Sequence, residues 1–272
     1  MWFSKPHPDK AGQKNVHVKE GLFEGEYAFR GSFHATVQNG DFRGPHAFHA
    51  AQDARVMGGR FSNAFCFYAA ERLETSGGEF SGSMACYGIK SAAVKGGTFT
   101  GDYAFCEGSN VVLSAGDFKG RGALSEARHA EVRGGRFDGA EFGITAFGMV
   151  IHGGHFSGSD LLRSSIRAVV LGGTMTGSNV LAEATEVRVL TNGTIGNLGK
   201  ISSGVIAARR IEAISPDLVI SEGMIIMAEQ TGTADERVIL LPAGTIPAGA
   251  PPDTKQALSD LQSLIDVYAK GG

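Results

Sequence analysis

Apolar positions along this chain recur on a period of 19. Phe23, Phe42, Phe61, Phe80, Phe99, Phe118, Phe137 and Phe156 fall 19 apart, and Met175 and Ile195 continue the series. A glycine stands two residues before each of them: Gly21, Gly40, Gly59, Gly78, Gly97, Gly116, Gly135, Gly154, Gly173 and Gly193. With that glycine as position zero, apolar residues recur at minus five (Val16, Ala35, Ala54, Leu73) and at minus three (Val18, Val37, Val56, Val94). Apolar residues two apart mark a strand with one face buried. Gly or Asn at plus four (Gly44, Asn63, Gly82, Gly101) predicts a bend, because these residues reach positive φ cheaply. A small-then-large pair follows at plus seven and plus eight: Ala28-Phe29, Ala47-Phe48, Cys66-Phe67 and Ala104-Phe105. The seventh unit reads Phe142-Gly143 instead, which predicts an aromatic filling the same volume from the neighbouring position.

Ten such units cover residues 16–205. Strands that return once per turn must pair in parallel with their copies, so the pattern predicts an all-β, right-handed parallel β-helix solenoid. At about 4.8 Å per coil the rod would be on the order of 48 Å long. Four segments are expected: an N-terminal tail (1–14), the β-helix (15–214), a C-terminal β cap (215–250) and a C-terminal helix (251–272). The cap is expected to be hairpin-like, with apolar runs at Met224–Met227 and Val238–Leu241 around a turn at Gln230–Thr233. In the helix, Leu258, Leu261, Ile265 and Tyr268 share one face, and Asp253 or Thr254 can cap it. That apolar stripe predicts docking on the chain's own rod, either at the last coil (Ile201–Ile214) or on a groove near Tyr68 and Tyr87. Assembly with a second copy is the alternative.

The formal net charge of −3 gives no argument for nucleic acid or an anionic membrane. No apolar run is long enough to span a bilayer, and the first residues lack the apolar core of a secretion signal. Cys66, Cys86 and Cys106 lie 20 apart, drift against the repeat and predict no disulfide ladder, which suits a cytoplasmic location. Charges at plus one (Asp41, Arg60, Glu79; Asp117, Arg136) and the Asp53–Arg72 pair read as solvated inter-coil ion pairs.

The stretches GDYAFCEGSNVVLSAGDF (101–118) and GEYAFRGSFHATVQNGDF (25–42) resemble the repeat of an uncharacterised bacterial family of β-helical proteins, sometimes labelled hydrogenase by automatic transfer. Ala104-Phe105 and Asn110-Val111-Val112-Leu113 carry the likeness, which covers about residues 16–245. The resemblance implies a cytoplasmic β-helix and brings no catalytic residues. The hydrogenase label has no support in the sequence, because no Cys-x-x-Cys pair is present to hold a redox metal.

Two surface features carry chemistry. Glu107 and Glu126 share plus ten in successive coils, with Arg128 and His129 beyond, a paired-carboxylate arrangement suited to acid–base work on a glycosidic bond. Arg30, His49, Tyr68 and Tyr87 share plus nine. If the plus-eight residues point inward, this row points outward beside small plus-seven residues, as a groove for sugar rings or a partner protein or as a self-packing aromatic ladder. His46 and His49, and His152 and His155, lack a converging third ligand, so no metal and no cofactor are expected. The sequence favours a non-catalytic cytoplasmic scaffold or interaction protein, with an unknown protein or a saccharide as partner and a homo-oligomer as one option. The alternatives are a carbohydrate-active β-helix enzyme of lyase or hydrolase type, and a structural subunit of a larger complex.

Overall fold

A computed structural model describes residues 11–220, 224–248 and 253–269. The chain winds into a parallel β-solenoid, and every strand pair among the described residues is parallel. His17–Val18 lies beside Thr36–Val37, and Leu22–Phe23 beside Asp41–Phe42; the same 19-residue offset then carries Phe42 to Phe61, Phe80 and Phe99. Inside, the plus-two phenylalanines from Phe23 to Phe156 form one column of rings stacked 4.5–4.8 Å apart. A second column of Phe29, Phe48 and Phe67 stands beside it, its own rings 4.9–5.0 Å apart. Phe142 is 1 % exposed and packs obliquely on Phe137 and Phe156, so the displaced aromatic does fill the shared volume.

The bend expected at plus four is present, as at Gly44, Gly82 and Gly101, but among the plus-four residues only Gly158 and Gly177 reach positive φ, at 139° and 146°. Gly44, Gly82 and Gly101 do not have positive φ; instead a Cβ at Gly82 would lie 1.9 Å from the Asn63 carbonyl oxygen of the preceding coil. Glycine is needed there for close approach of coil to coil. The left-handed turns fall at position zero and, repeatedly, on residues with side chains: His46, Phe65 and Met84 at plus six, and Ala50, Ala69, Glu107 and Glu126 at plus ten, have φ of 52–58°. Such residues are uncommon singly; here the stacking of identical turns holds them, and it throws their side chains outward.

The C-terminal cap is not a hairpin. The strand Val187–Leu198 pairs in parallel with Gly204–Ile214, that strand with Ile225–Thr231, and the last with Ile239–Leu240. Gly232 N–H donates to the Ile211 carbonyl, 2.8 Å, which carries the chain on round the coil instead of reversing it. The apolar runs keep the alternation of earlier coils, with Ile226 inside and Met227 outside. A reversed strand would lose that register.

The helix Thr254–Leu264 is capped by Asp253, whose carboxylate accepts from Gln256 N–H, 2.8 Å. It folds back on the rod. Its Ala257, Leu261 and Leu264 bury against Leu171, Leu190, Ala207 and Met227 on the outside of the sheet. The docking place therefore includes part of the Ile201–Ile214 coil, extends along the flank of its neighbours, and leaves the Tyr68/Tyr87 surface uncovered.

Candidate functional site

Arg30, His49, Tyr68 and Tyr87 do line up on the outside. His49 meets Tyr68 edge-on at 5.0 Å, and Tyr68 lies parallel to Tyr87 at 5.6 Å. A second outward column, at plus six, was not recognised in the sequence although its members are also 19 apart. Tyr27 stacks on His46 at 5.4 Å and His46 on Phe65 at 5.2 Å, while the Arg30 guanidinium sits 5.2 Å from the Tyr27 ring centre. The left-handed backbone of His46 and Phe65 turns their rings out. The expected groove floor is corrected: the plus-seven residues Ala28, Ala47, Cys66 and Ala85 are 1–2 % exposed and belong to the core. The small residues beside the ladder are those at plus ten, Gly31, Ala50, Ala69 and Gly88.

Two ladder members are polar atoms out of water. His46 Nδ1 and His49 Nδ1 are buried and find no hydrogen-bond partner among the described residues. Burial, then the charge of Arg30 and the neighbouring His46, hold His49 below the ordinary imidazole range.

The ladder stops at Tyr87, because the next plus-nine residue is Cys106 and has no ring. There the two candidate features meet. The Tyr87 hydroxyl donates to Glu107 Oε1. That bond, ahead of burial, pushes the Tyr87 phenol up to about 12. Burial raises the Cys106 thiol to about 11, and the charges of Glu126 and Glu107 add to it, so both carboxylates act on one buried sulfur. Beyond Tyr87 a hollow of about 610 Å³ is lined by Glu107, Glu126, Arg128, Thr145, Phe147 and Ile166. Among the described residues Glu126 and Arg128 have no ion-pair partner within contact distance. Phe147 is held by the edge of His129 and the guanidinium of Arg167, each 5.6 Å from its ring. Phe147 and Ile166, at plus twelve, complete a wall that was not anticipated.

A larger hollow, about 870 Å³, follows the position-zero glycines on another face. Its rim alternates Arg60, Glu79, Asp117, Arg136 and His155, and its floor is backbone. Arg60 pairs with Glu79 at 3.2 Å as expected, but Arg136 turns to Asp138 at 2.5 Å and Asp41 to Arg43 at 2.7 Å, within their own coils. The Asp53–Arg72 pair forms across coils. Glu79 is taken up by Arg60 and Arg136 by Asp138, and the two lining carboxylates, Glu79 and Asp117, stand two coils apart, so this surface lacks the adjacent pair of the smaller pocket.

Among the described residues no group of three or more His, Cys, Asp or Glu side chains gathers to hold a metal ion. His152 is taken up by Glu131, 3.2 Å away. No described helix is long and apolar enough to cross a membrane. Comparison with family models, with curated proteins and with solved structures returned no match. The fold and this pocket's geometry therefore carry the functional argument.

Proposed function

We propose that this solenoid is a carbohydrate-active protein that takes a glycan along the aromatic ladder and into the Glu107–Glu126 pocket. The observation that supports this reading is the Tyr87–Glu107 hydrogen bond, which joins a polar aromatic surface to a pair of carboxylates on adjacent coils. Adjacent coils stand about 4.8 Å apart. Glutamates rooted at that spacing can reach the carboxyl separations of roughly 5–9.5 Å that glycoside hydrolysis uses. Arg128 supplies a cation for sugar hydroxyls or a ring carboxylate, and Thr145 a hydroxyl. The test is incubation with a panel of soluble polysaccharides, followed by assay of new reducing or unsaturated ends. Release by the wild type should fall at least about a hundredfold in Glu107→Gln and in Glu126→Gln. No release across the panel would remove the enzymatic reading.

A second reading, a rigid non-catalytic scaffold, is favoured by one observation. Tyr68 and Tyr87 cover each other's faces, within 2° of parallel, and so offer mainly edges to a sugar ring. On that reading the same face holds a protein or glycan partner, or a second copy, without turning anything over. Either way we assign the protein to the cytoplasm on the strength of three free, buried cysteines. The likeness of its repeat to the uncharacterised bacterial β-helical family is kept as part of the same reading.

A further inference from the structure

The order of side chains in the pocket narrows the ligand. Two outward columns run side by side along the rod. Plus ten contributes Glu107, Glu126 and Thr145 from three successive coils, and plus twelve contributes Arg128, Phe147 and Ile166. From Glu107 to Ile166 the pocket crosses four coils, about 14 Å of rod. Polarity changes along it. Glu107 stands in the first of these coils, Glu126 and Arg128 share the second, Thr145 and Phe147 share the third, and Ile166 stands in the fourth. Ile166 is 42 % exposed. The Thr145 hydroxyl already donates to the Ile144 carbonyl, 2.7 Å, so towards a ligand it accepts. The apolar end is rigid: Phe147 is clamped by His129 and Arg167, and backbone bridges tie Arg128 to Phe147, Phe147 to Ile166 and Ile166 to Thr185.

We infer that the pocket selects glycans built from N-acetylated amino sugars, an inference that rests on the saccharide reading above and names the substrate class of the same site. An acetamido group carries a donor, an acceptor and a methyl in sequence. The pocket offers a counterpart to each: Glu126 as acceptor for the N–H and Arg128 as donor for the carbonyl in one coil, with Thr145 as a further acceptor and Phe147 and Ile166 as an apolar wall for the methyl in the next two. A bare hydroxyl at that position leaves Ile166 in water and gains nothing from the apolar wall. An O-acyl group lacks the N–H. A free amine is drawn to the carboxylates but cannot use Phe147 and Ile166.

The experiment is calorimetric titration of the full chain with three oligosaccharides of equal length, made of N-acetylglucosamine, glucosamine or glucose. The acetylated oligomer should bind about tenfold or more tightly than the glucose oligomer, the size expected from one buried methyl and one added hydrogen bond. Ile166→Asp should abolish the preference, so that the acetylated and glucose oligomers bind this variant with equal affinity. Thr145→Ala should reduce the preference by a smaller factor. Both positions face solvent, and unchanged thermal melts will show that the variants fold. Equal affinity for acetylated and glucose oligomers overturns the inference, as does tighter binding of the free amine or a preference that neither variant moves. If glucose oligomers bind and Glu126→Gln weakens them without any acetyl preference, selectivity alone falls. If no oligomer binds, the saccharide reading falls with it.

Discussion

The strand face at positions minus four and minus two is two different surfaces on one backbone. In the first seven coils it carries Thr36, Gln38, Arg55, Glu74, Lys95, Glu131 and Arg133, and it is laced by Arg55–Glu74 at 3.2 Å, Lys95–Glu74 at 2.5 Å and Arg133–Glu131 at 2.8 Å. From the eighth coil on, the aligned positions carry Val150, Val169, Leu171, Leu190, Val205, Ala207 and Met227, with His152 and Arg188 among them, and the C-terminal helix packs on the apolar ones. The parallel register and the inner columns continue through both halves. Outward side chains alone decide whether the sheet meets water or a helix. The hydrophobic effect makes the second half intolerant of exposure, whereas the ion pairs of the first half are screened and individually weak.

If the interior is common to both halves, Phe99→Ala and Phe156→Ala should cost alike, about 3–5 kcal/mol each, because both remove a ring from the same close-packed column. Urea melts would check this, and a large difference between the two would break the idea of one continuous core. Leu261→Ala, in the helix that only the second half carries, should cost about 2 kcal/mol or somewhat more. It should also raise light scattering as the apolar sheet becomes exposed.

The pH effect that arises from a lowered imidazole should fall on the first coils. Burial, Arg30 and His46 lower the His49 pKa, so the stability it contributes is present above the unfolded value of about 6.5 and is lost as pH falls through the folded value. The melting temperature of the wild type should therefore drop more between about pH 7 and pH 5.5 than that of His49→Phe. Equal drops would show that the ladder tolerates the charge. This window lies above that of Asp53, Glu71 and Glu74, whose pKa values are lowered first by hydrogen bonds from Arg72, Lys90 and Lys95. The smallest effect is expected for Glu74→Ala, within about 1 kcal/mol, since its partners are mostly exposed.

Much of this was legible because a stacked repeat writes its interior in register. The Phe column, the two small strands and the displaced Phe142 follow from spacing alone. The left-handed turns did not, since a left-handed Glu107 or Ala50 leaves no compositional mark, and at Gly44, Gly82 and Gly101 glycine was needed for coil contact instead of positive φ. The helix's docking place was present as apolar residues at minus four and minus two in the late coils, but strand alternation draws the eye to the inner set. Glu107 and Glu126 were found by their shared position. Their link to the ladder was not, because Tyr87 sits at plus nine and Glu107 at plus ten, 20 residues apart and off the period. Phe147 and Ile166 were within reach of the 19-residue count and were overlooked because outward apolar residues are common and usually mean little.

The most direct test of the central claim is amide hydrogen exchange on the full chain, with and without a saturating soluble glycan that binds it. The account predicts slowed exchange around Tyr87, Glu107, Glu126, Arg128 and Phe147, with no change in the sheet beneath the C-terminal helix. Protection confined to the glycine-floored face or to the helix-covered sheet, with the Glu107–Glu126 pocket unaffected, would contradict it.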